Sequence, residues 1–136
     1  AEQTYVIRLE VLRKGINKPF KFDGDFDSST LHFGAFVNNE LVGISTFMKN
    51  NKEDFTNVNQ YQLRGMATLP EFRGKGIGEH IINYSIRELK ALEVTILWCN
   101  AREVAVDFYK KMKFKILGSK FFIEEVGNHF VMYKTL

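Results

Sequence analysis

Six consecutive residues, Arg73-Gly74-Lys75-Gly76-Ile77-Gly78, combine three glycines with two cations where a β-rich run gives way to a helical one. Glycine lets bare backbone approach a ligand, and the first N–H groups of a helix have no partner within it. Those N–H groups and the positive end of the helix dipole form an anion site, to which Arg73 and Lys75 add charge. The chemistry this spacing serves is phosphate or pyrophosphate binding. A dinucleotide fingerprint G-x-G-x-x-G starting at Gly74 would need glycine where Glu79 stands. A P-loop needs Gly-Lys-Ser/Thr to close its run, and none occurs. The spacing is instead Arg-x-x-Gly-x-Gly. The purely structural alternative is a tight turn at a glycine-rich helix start.

That spacing resembles Q/R-x-x-G-x-G/A, the main motif of the GNAT superfamily (Gcn5-related N-acetyltransferases). The resemblance extends from Leu31 to Leu136. It implies that Arg73, Gly74, Lys75, Gly76, Ile77 and Gly78 hold the pyrophosphate of acetyl-CoA. It further implies that Met66-Ala67-Thr68 ends a bulged strand whose main chain pairs with the pantetheine arm. An N–H there would face the thioester carbonyl and stabilise the oxyanion. Asn100 is placed by the resemblance beside pantetheine. By its own chemistry Asn100, with Glu103 three residues on, also reads as a helix N-cap in a capping box. Phe108-Tyr109-Lys110-Lys111-Met112-Lys113-Phe114 resembles the family segment A-x-x-F/L-Y-x-x-x-G-F, whose Tyr protonates the departing CoA thiolate. A phenol suits that task when held within hydrogen-bond reach. Lys113 stands where glycine is usual, so this helix must end in a less permissive turn. Gln62 to Thr68, Trp98 to Arg102, Val11 to Arg13 and Gly127 to His129 also resemble a poorly characterised bacterial subgroup of the superfamily.

An amine must lose a proton before it attacks a thioester. Many GNAT enzymes carry Glu for this on the strand before the loop, where this chain has Gln62, an amide that takes no proton at neutral pH. His129 is the leading replacement, because an ordinary imidazole titrates near pH 6.5; a structural His is the alternative. Glu124 and Glu125 are weaker candidates, since paired loop glutamates are usually solvated. Arg64 and Arg102 would suit a substrate carboxylate or phosphate if both enter one cleft, or they pair with nearby acids. Cys99 sits in an apolar run with no His beside it, which argues against an acyl-cysteine. His80 falls on the outer side of a helix and His32 in a strand. No His, Cys and Asp cluster has metal-ligand spacing, so no metal is expected.

Positioning these residues requires a strand before the loop and a helix after it. Tyr61 to Leu69, closed by Pro70, reads as the strand, and Ile77, Ile81, Ile82, Ile86 and Leu89 recur at helical spacing. Val94 to Cys99 is a short strand without alternation, buried on both faces, and parallel to Tyr61–Leu69. Val104, Ala105, Phe108, Tyr109 and Met112 mark a second amphipathic helix. Tyr5, Val6, Leu9 and Leu12 predict a helix over Glu2 to Arg13, stopped at Gly15. Leu31–Val37 and Leu41–Phe47 flank Asn38-Asn39 as a hairpin. Phe114–Leu117 and Phe130–Tyr133 close the chain as strands. Asn17 to Thr30, Asn50 to Asn57 and Lys120 to Asn128 read as loops open to an acceptor. A first strand expected in this family would lie before Ala1 or be trimmed.

The 136 residues suit one domain over 1–136 with its own core, and thirteen Phe make that core aromatic-rich. A net charge of +3 without a basic run favours an anionic ligand and argues against nucleic acid. A single cysteine permits no internal disulfide, which fits a cytoplasmic compartment. No apolar stretch approaches membrane-spanning length, and no signal peptide is visible. The resemblance implies an α/β (α+β) fold: a mixed, mostly antiparallel central sheet, one parallel strand pair splayed around the CoA site, and helices on both faces. It implies an acyl-CoA-dependent N-acyltransferase that moves acetyl from acetyl-CoA directly to an amine, for which Arg64 and Arg102 make an anionic acceptor a candidate, and it is compatible with a homodimer. The alternatives are a non-catalytic acyl-CoA sensor or interaction module, which Gln62 favours, and a nucleotide-binding protein.

Overall fold

The computed structural model describes residues 1–56 and 59–136. Asn57, the end of the second predicted loop, lies outside them. The chain opens with a 3-10 turn, Glu2–Thr4, then α1, Tyr5–Ile7, which runs into a π-helical turn, Arg8–Leu12. Strands β1 (Leu31–Val37), β2 (Glu40–Lys49) and β3 (Gln60–Thr68) follow. After a 3-10 turn at Pro70–Phe72 come α2 (Ile77–Ala91), β4 (Ile96–Arg102), α3 (Val106–Lys111), β5 (Lys115–Ile123) and β6 (Gly127–Thr135). The six strands lie in the order β1-β2-β3-β4-β6-β5. Every neighbouring pair is antiparallel except β3 and β4.

The expected β1–β2 hairpin is present. Asn38 and Asn39 both sit at positive φ, 49° and 67°, as a two-residue turn matched to strand twist requires. Alternation along β2 assigns the two sheet faces. A Cβ added to Gly43 would come within 2.9 Å of Ile81 and 3.0 Å of Ile77, so that face carries α2. The next residue, Ile44, packs with Ile7 and Ala67 on the other face, under the N-terminal helix. The larger core lies on the α2 face. There Phe47, Leu63, Ile82, Leu89, Leu97, Cys99, Tyr109, Phe114 and Met132 form one cluster.

Three boundaries differ from expectation. β4 begins two residues later than Val94 and runs to Arg102, because Asn100, Ala101 and Arg102 continue pairing with β6. Asn100 is therefore a strand residue and not a helix cap. The residue before the next turn is Arg102, and no side chain caps that turn. Val104 is 92% exposed in the 3-10 turn Glu103–Ala105, so it does not share the apolar face of α3. Most of the supposed Lys120–Asn128 loop is strand, with only 124–126 turning between β5 and β6. The long aromatic strands pair across that turn, a register that local composition does not reveal.

Candidate active site at the strand splay

Parallel pairing of β3 with β4 runs from Gln60–Ile96 to Leu63–Cys99 and stops there. Beyond it, β3 stays paired only with β2 and β4 only with β6. The facing edges from Arg64 and from Asn100 onward are left open as a slot. A bulge in β3 helps to open it. Ile44 and Thr46, two apart on β2, face Ala67 and Arg64, three apart on β3. The extra residue is taken up at Gly65, at φ 61°, as in a bulge built on a left-handed glycine. A Cβ there would press Phe22 at 2.9 Å and Arg8 Nε at 3.2 Å.

On one side of the slot lies the glycine-rich turn. Gly74 and Gly76 both adopt left-handed φ, 76° and 78°. Gly76 starts α2 with no side-chain cap. The first amides of α2 are thus left for a ligand, at the positive end of a 15-residue helix. Arg73 is fixed over the turn by Nε donating to the Thr68 carbonyl at 3.3 Å. A Cβ on Gly78 would lie 3.2 Å from the Phe108 ring and 3.4 Å from Met66, so glycine there lets α2 close on α3 and β3. Thr68, Arg73, Gly74, Gly76, Ile77 and Gly78 line a cavity of about 340 Å³. Lys111 and Phe72 also line it, which the sequence reading missed. Lys111 was hidden because its chemistry depends on α3 crossing near α2. Lys75 is exposed and lies over the Phe72 ring at 5.4 Å, outside the lining. Ala67 is buried against Ile7 and Ile44, so only its main chain could meet a ligand.

The second cavity, about 320 Å³, spans the slot itself. Gln62, Arg64, Met66, Asn100, Arg102, Tyr109 and His129 all line it, bringing together residues distant in sequence. Tyr109 is buried, and the Phe108 and Phe114 rings lie 5.2 and 5.3 Å from its own. Burial, and secondarily Cys99, pushes its hydroxyl well above the usual phenol range, so it stays protonated. His129 is also buried and stacks on Phe121 at 5.6 Å. Its Nδ1 meets the Gly127 carbonyl at 2.8 Å. A carbonyl only accepts, so Nδ1 donates this bond, and Nε2 is the nitrogen left to face a ligand. His129 faces Arg102 across β4 and β6. Glu124 and Glu125 are exposed in the turn and do not line the cavity.

Gln62 is engaged: its Oε1 accepts from Asn50 Nδ2 at 2.9 Å. Cys99 is buried, and burial raises its thiol to about 12, which keeps it neutral and unreactive. His80 is exposed on α2. His32 is a structural residue, its ring nitrogens bridging Thr46 Oγ1 and the Asp25 carbonyl. Among the described residues no His, Cys, Asp and Glu cluster could hold a metal. Neither Arg64 nor Arg102 forms an ion pair with an acid among the described residues. Arg64 lies over the Phe22 ring at 4.3 Å, and Arg102 donates to the Leu12 carbonyl at 2.9 Å. Arg13, which sequence reading passed over, joins them in the cavity wall. It is delivered there by the π-helical turn, closed by Arg13 N–H to the Arg8 carbonyl at 3.1 Å.

A splayed parallel pair between a bare helix N-terminus and a cavity with a buried phenol is the architecture of an acyl-CoA-dependent acetyltransferase. The sequence pattern of the Acetyltransferase (GNAT) family matches residues 5–114, and the chain belongs to that family. It is 37% identical over 136 residues to YitI of Bacillus subtilis (strain 168), an uncharacterized N-acetyltransferase, covering 99% of this chain and 91% of that protein. Its fold is similar to an acyl-CoA N-acyltransferase from Pseudomonas aeruginosa, at 16% identity and a TM-score of 0.81, over 96% of this chain and 87% of that one. It is also similar to an aminoglycoside 6'-N-acetyltransferase complexed with coenzyme A, at 14% identity and a TM-score of 0.79, over 98% and 89% of the two chains. This chain is thus an N-acetyltransferase of the GNAT family. Among the described residues no helix is long and apolar enough to cross a membrane.

Proposed function

We propose that this chain transfers acetyl from acetyl-CoA directly to an amine, in one step and without an acyl-enzyme. The observation that carries this reading is the slot beyond Leu63 and Cys99, which opens from the α2 N-terminus into a cavity holding Tyr109 and His129. The amides of the turn at Gly74–Gly78 would hold the pyrophosphate, with Arg73 and Lys111 supplying charge. Pantetheine would lie along the open edge of Met66-Ala67-Thr68, with Asn100 on the opposite edge. His129 Nε2 takes a proton from the acceptor ammonium. The freed amine attacks the thioester carbonyl carbon, and a main-chain N–H of β3 steadies the oxyanion as the tetrahedral intermediate forms. The C–S bond then breaks, the Tyr109 hydroxyl gives its proton to the departing sulfur, and the second proton of the acylated nitrogen passes to the Tyr109 oxygen, leaving the amide, the CoA thiol and a neutral phenol. Burial keeps the Tyr109 phenol protonated, so the proton is in place when the sulfur departs. Cys99, neutral and buried, supports the absence of an acyl-cysteine and fits the reducing cytoplasm.

A second reading is favoured by Gln62, whose amide oxygen is held by Asn50: a CoA-binding sensor that does no chemistry. Release of free CoA thiol with a panel of amines separates the two. Transfer predicts release that falls roughly 10²-fold in kcat for Tyr109→Phe and for His129→Gln, with acetyl-CoA affinity retained. Turnover unchanged by Tyr109→Phe would remove its acid role. Tight acetyl-CoA binding with no release for any amine would favour the sensor.

A further inference from the structure

Three guanidinium groups, those of Arg13, Arg64 and Arg102, line the cavity across the slot, and Lys18 stands with them. No aspartate or glutamate among the described residues lines it. Among the described residues the acids in ion pairs are Asp25, taken by Arg8, and Asp54, taken by Lys52. The three arginines are fixed in place. Arg13 Nη1 and Arg102 Nη2 donate to the same Leu12 carbonyl, at 3.2 and 2.9 Å. Arg13 Nε donates to the Pro19 carbonyl at 2.9 Å, and Arg64 rests on the Phe22 ring. Each guanidinium has five donors, so most remain for a ligand.

Crowding cations is unfavourable without an anion between them. Burial is the first cause that lowers the pKa of all three, and Arg13 is lowered further by Arg102 and Arg64. The cluster is poorly placed for the CoA phosphates. Arg64 and Arg102 point to the face of α1, onto Phe22 and Leu12, whereas Gly78 of the pyrophosphate turn packs on Phe108 and Met66 on the α2 face.

We propose that the acceptor is an amine bearing an oxyanion, a carboxylate or phosphate, which Arg13, Arg64 and Arg102 clamp while the amine reaches His129. The planar fork of arginine matches both oxyanions. Lying opposite Arg102 in the ladder, His129 is within a short acceptor's span of the clamp. This clamp rests on the transfer reading above. It disfavours polycationic acceptors, which three guanidiniums lining one cavity would repel.

The test compares kcat/KM for thiol release across four acceptor sets: amino acids with side-chain carboxylates, aminoalkyl phosphonates, neutral amines and polyamines. The clamp predicts that one of the two anionic sets leads, and which one distinguishes carboxylate from phosphate. Arg64→Gln and Arg102→Gln should each shrink the anionic preference about 10- to 100-fold, chiefly through KM. Acetyl-CoA affinity by calorimetry reports folding, and Arg87→Gln, on the outer surface of α2, should keep the wild-type preference. Preference for neutral amines or polyamines, or an anionic preference indifferent to Arg64 and Arg102, overturns the clamp. If no amine is acetylated, the transfer reading fails instead. The clamp is then read directly by titrating the acetyl-CoA-loaded protein with succinate and with inorganic phosphate. Binding that the two variants lose upholds it, and absence of binding overturns it.

Discussion

Leu63 faces Cys99 in the last parallel pair between β3 and β4. One residue later Arg64 answers only to Thr46 of β2, and Asn100 only to Val131 of β6. The slot is therefore a consequence of how two strands part company, and the parting is assisted by the extra residue at Gly65. Next to that bulge Arg64 lies over Phe22, so a single backbone irregularity bears on both the slot and the arginine cluster.

Gly65→Ala should be costly for two reasons. A side chain at φ 61° is strained, and the new Cβ would press Phe22 at 2.9 Å and Arg8 Nε at 3.2 Å. The expected loss is on the order of 2 kcal/mol, with weakened acetyl-CoA affinity as the slot shifts. Urea unfolding and calorimetry check it, and an unchanged midpoint would show that the bulge is not under this constraint.

Cys99 should resist alkylation in the native protein and react on unfolding, since burial holds its thiol near 12. Its folded pKa lies above the unfolded one. The stabilisation is thus complete below about pH 8.5 and is lost as pH rises toward 12, at about 1.4 kcal/mol per pH unit. The raised Tyr109 hydroxyl adds a loss of the same sign at still higher pH. Cys99→Ala should flatten the alkaline limb of stability against pH while leaving acetyl transfer intact. Loss of transfer in that variant, with folding preserved, would revive the acyl-cysteine.

The glycine turn that starts α2 was legible in the sequence because its pattern is local: three glycines, two cations and a helix start within six residues. The parallel pair was legible because a short apolar strand after an intervening helix has few places to go. Asn100 was misread as a cap because Asn followed by Glu at the third position satisfies the capping pattern whether or not a helix starts there. Pairing with Val131 on β6 overrode it, and that partner lies far along the chain. Arg13 was missed for a related reason. Its approach to Arg102 depends on a π-helical turn and on a carbonyl shared across the fold, neither of which leaves a local signature.

Lys113 occupies the position that ends α3, at φ 72°. The Lys113 amide donates to the Lys110 carbonyl and the Phe114 amide to the Tyr109 carbonyl, both at 2.9 Å. That is a Schellman closure, in which glycine avoids the left-handed penalty. Lys113→Gly should therefore stabilise the protein by about 1 kcal/mol, raising Tm by a few degrees. Because the closure fixes the carbonyl of Tyr109, kcat should be retained or rise slightly. A lower Tm would mean that the Lys113 side chain contributes more than its backbone costs.

Asp25 and Arg8 form a fully enclosed ion pair at 2.8 Å, with Arg8 against Phe22 of the cavity wall. Burial alone would raise the Asp25 carboxyl. The Arg8 hydrogen bonds, the Phe22 amide and the Arg8 and His32 charges outweigh it and hold the carboxyl below its ordinary value. The stabilisation is accordingly present above the unfolded carboxyl value of about 3.9 and lost as pH falls through the lower folded one. Asp25→Asn leaves Arg8 charged and unpaired in the interior, at a cost of about 3–5 kcal/mol near neutral pH. The variant should also show a flatter acid limb than the parent. The effect should not stop at stability, because Arg8 stacks on Phe22 at 4.0 Å and Phe22 in turn supports Arg64. At a temperature where the variant remains folded, its KM for anionic amines should rise more than its KM for acetyl-CoA. Equal changes in the two would show that the pair holds the fold as a whole and does not specifically support the arginine cluster.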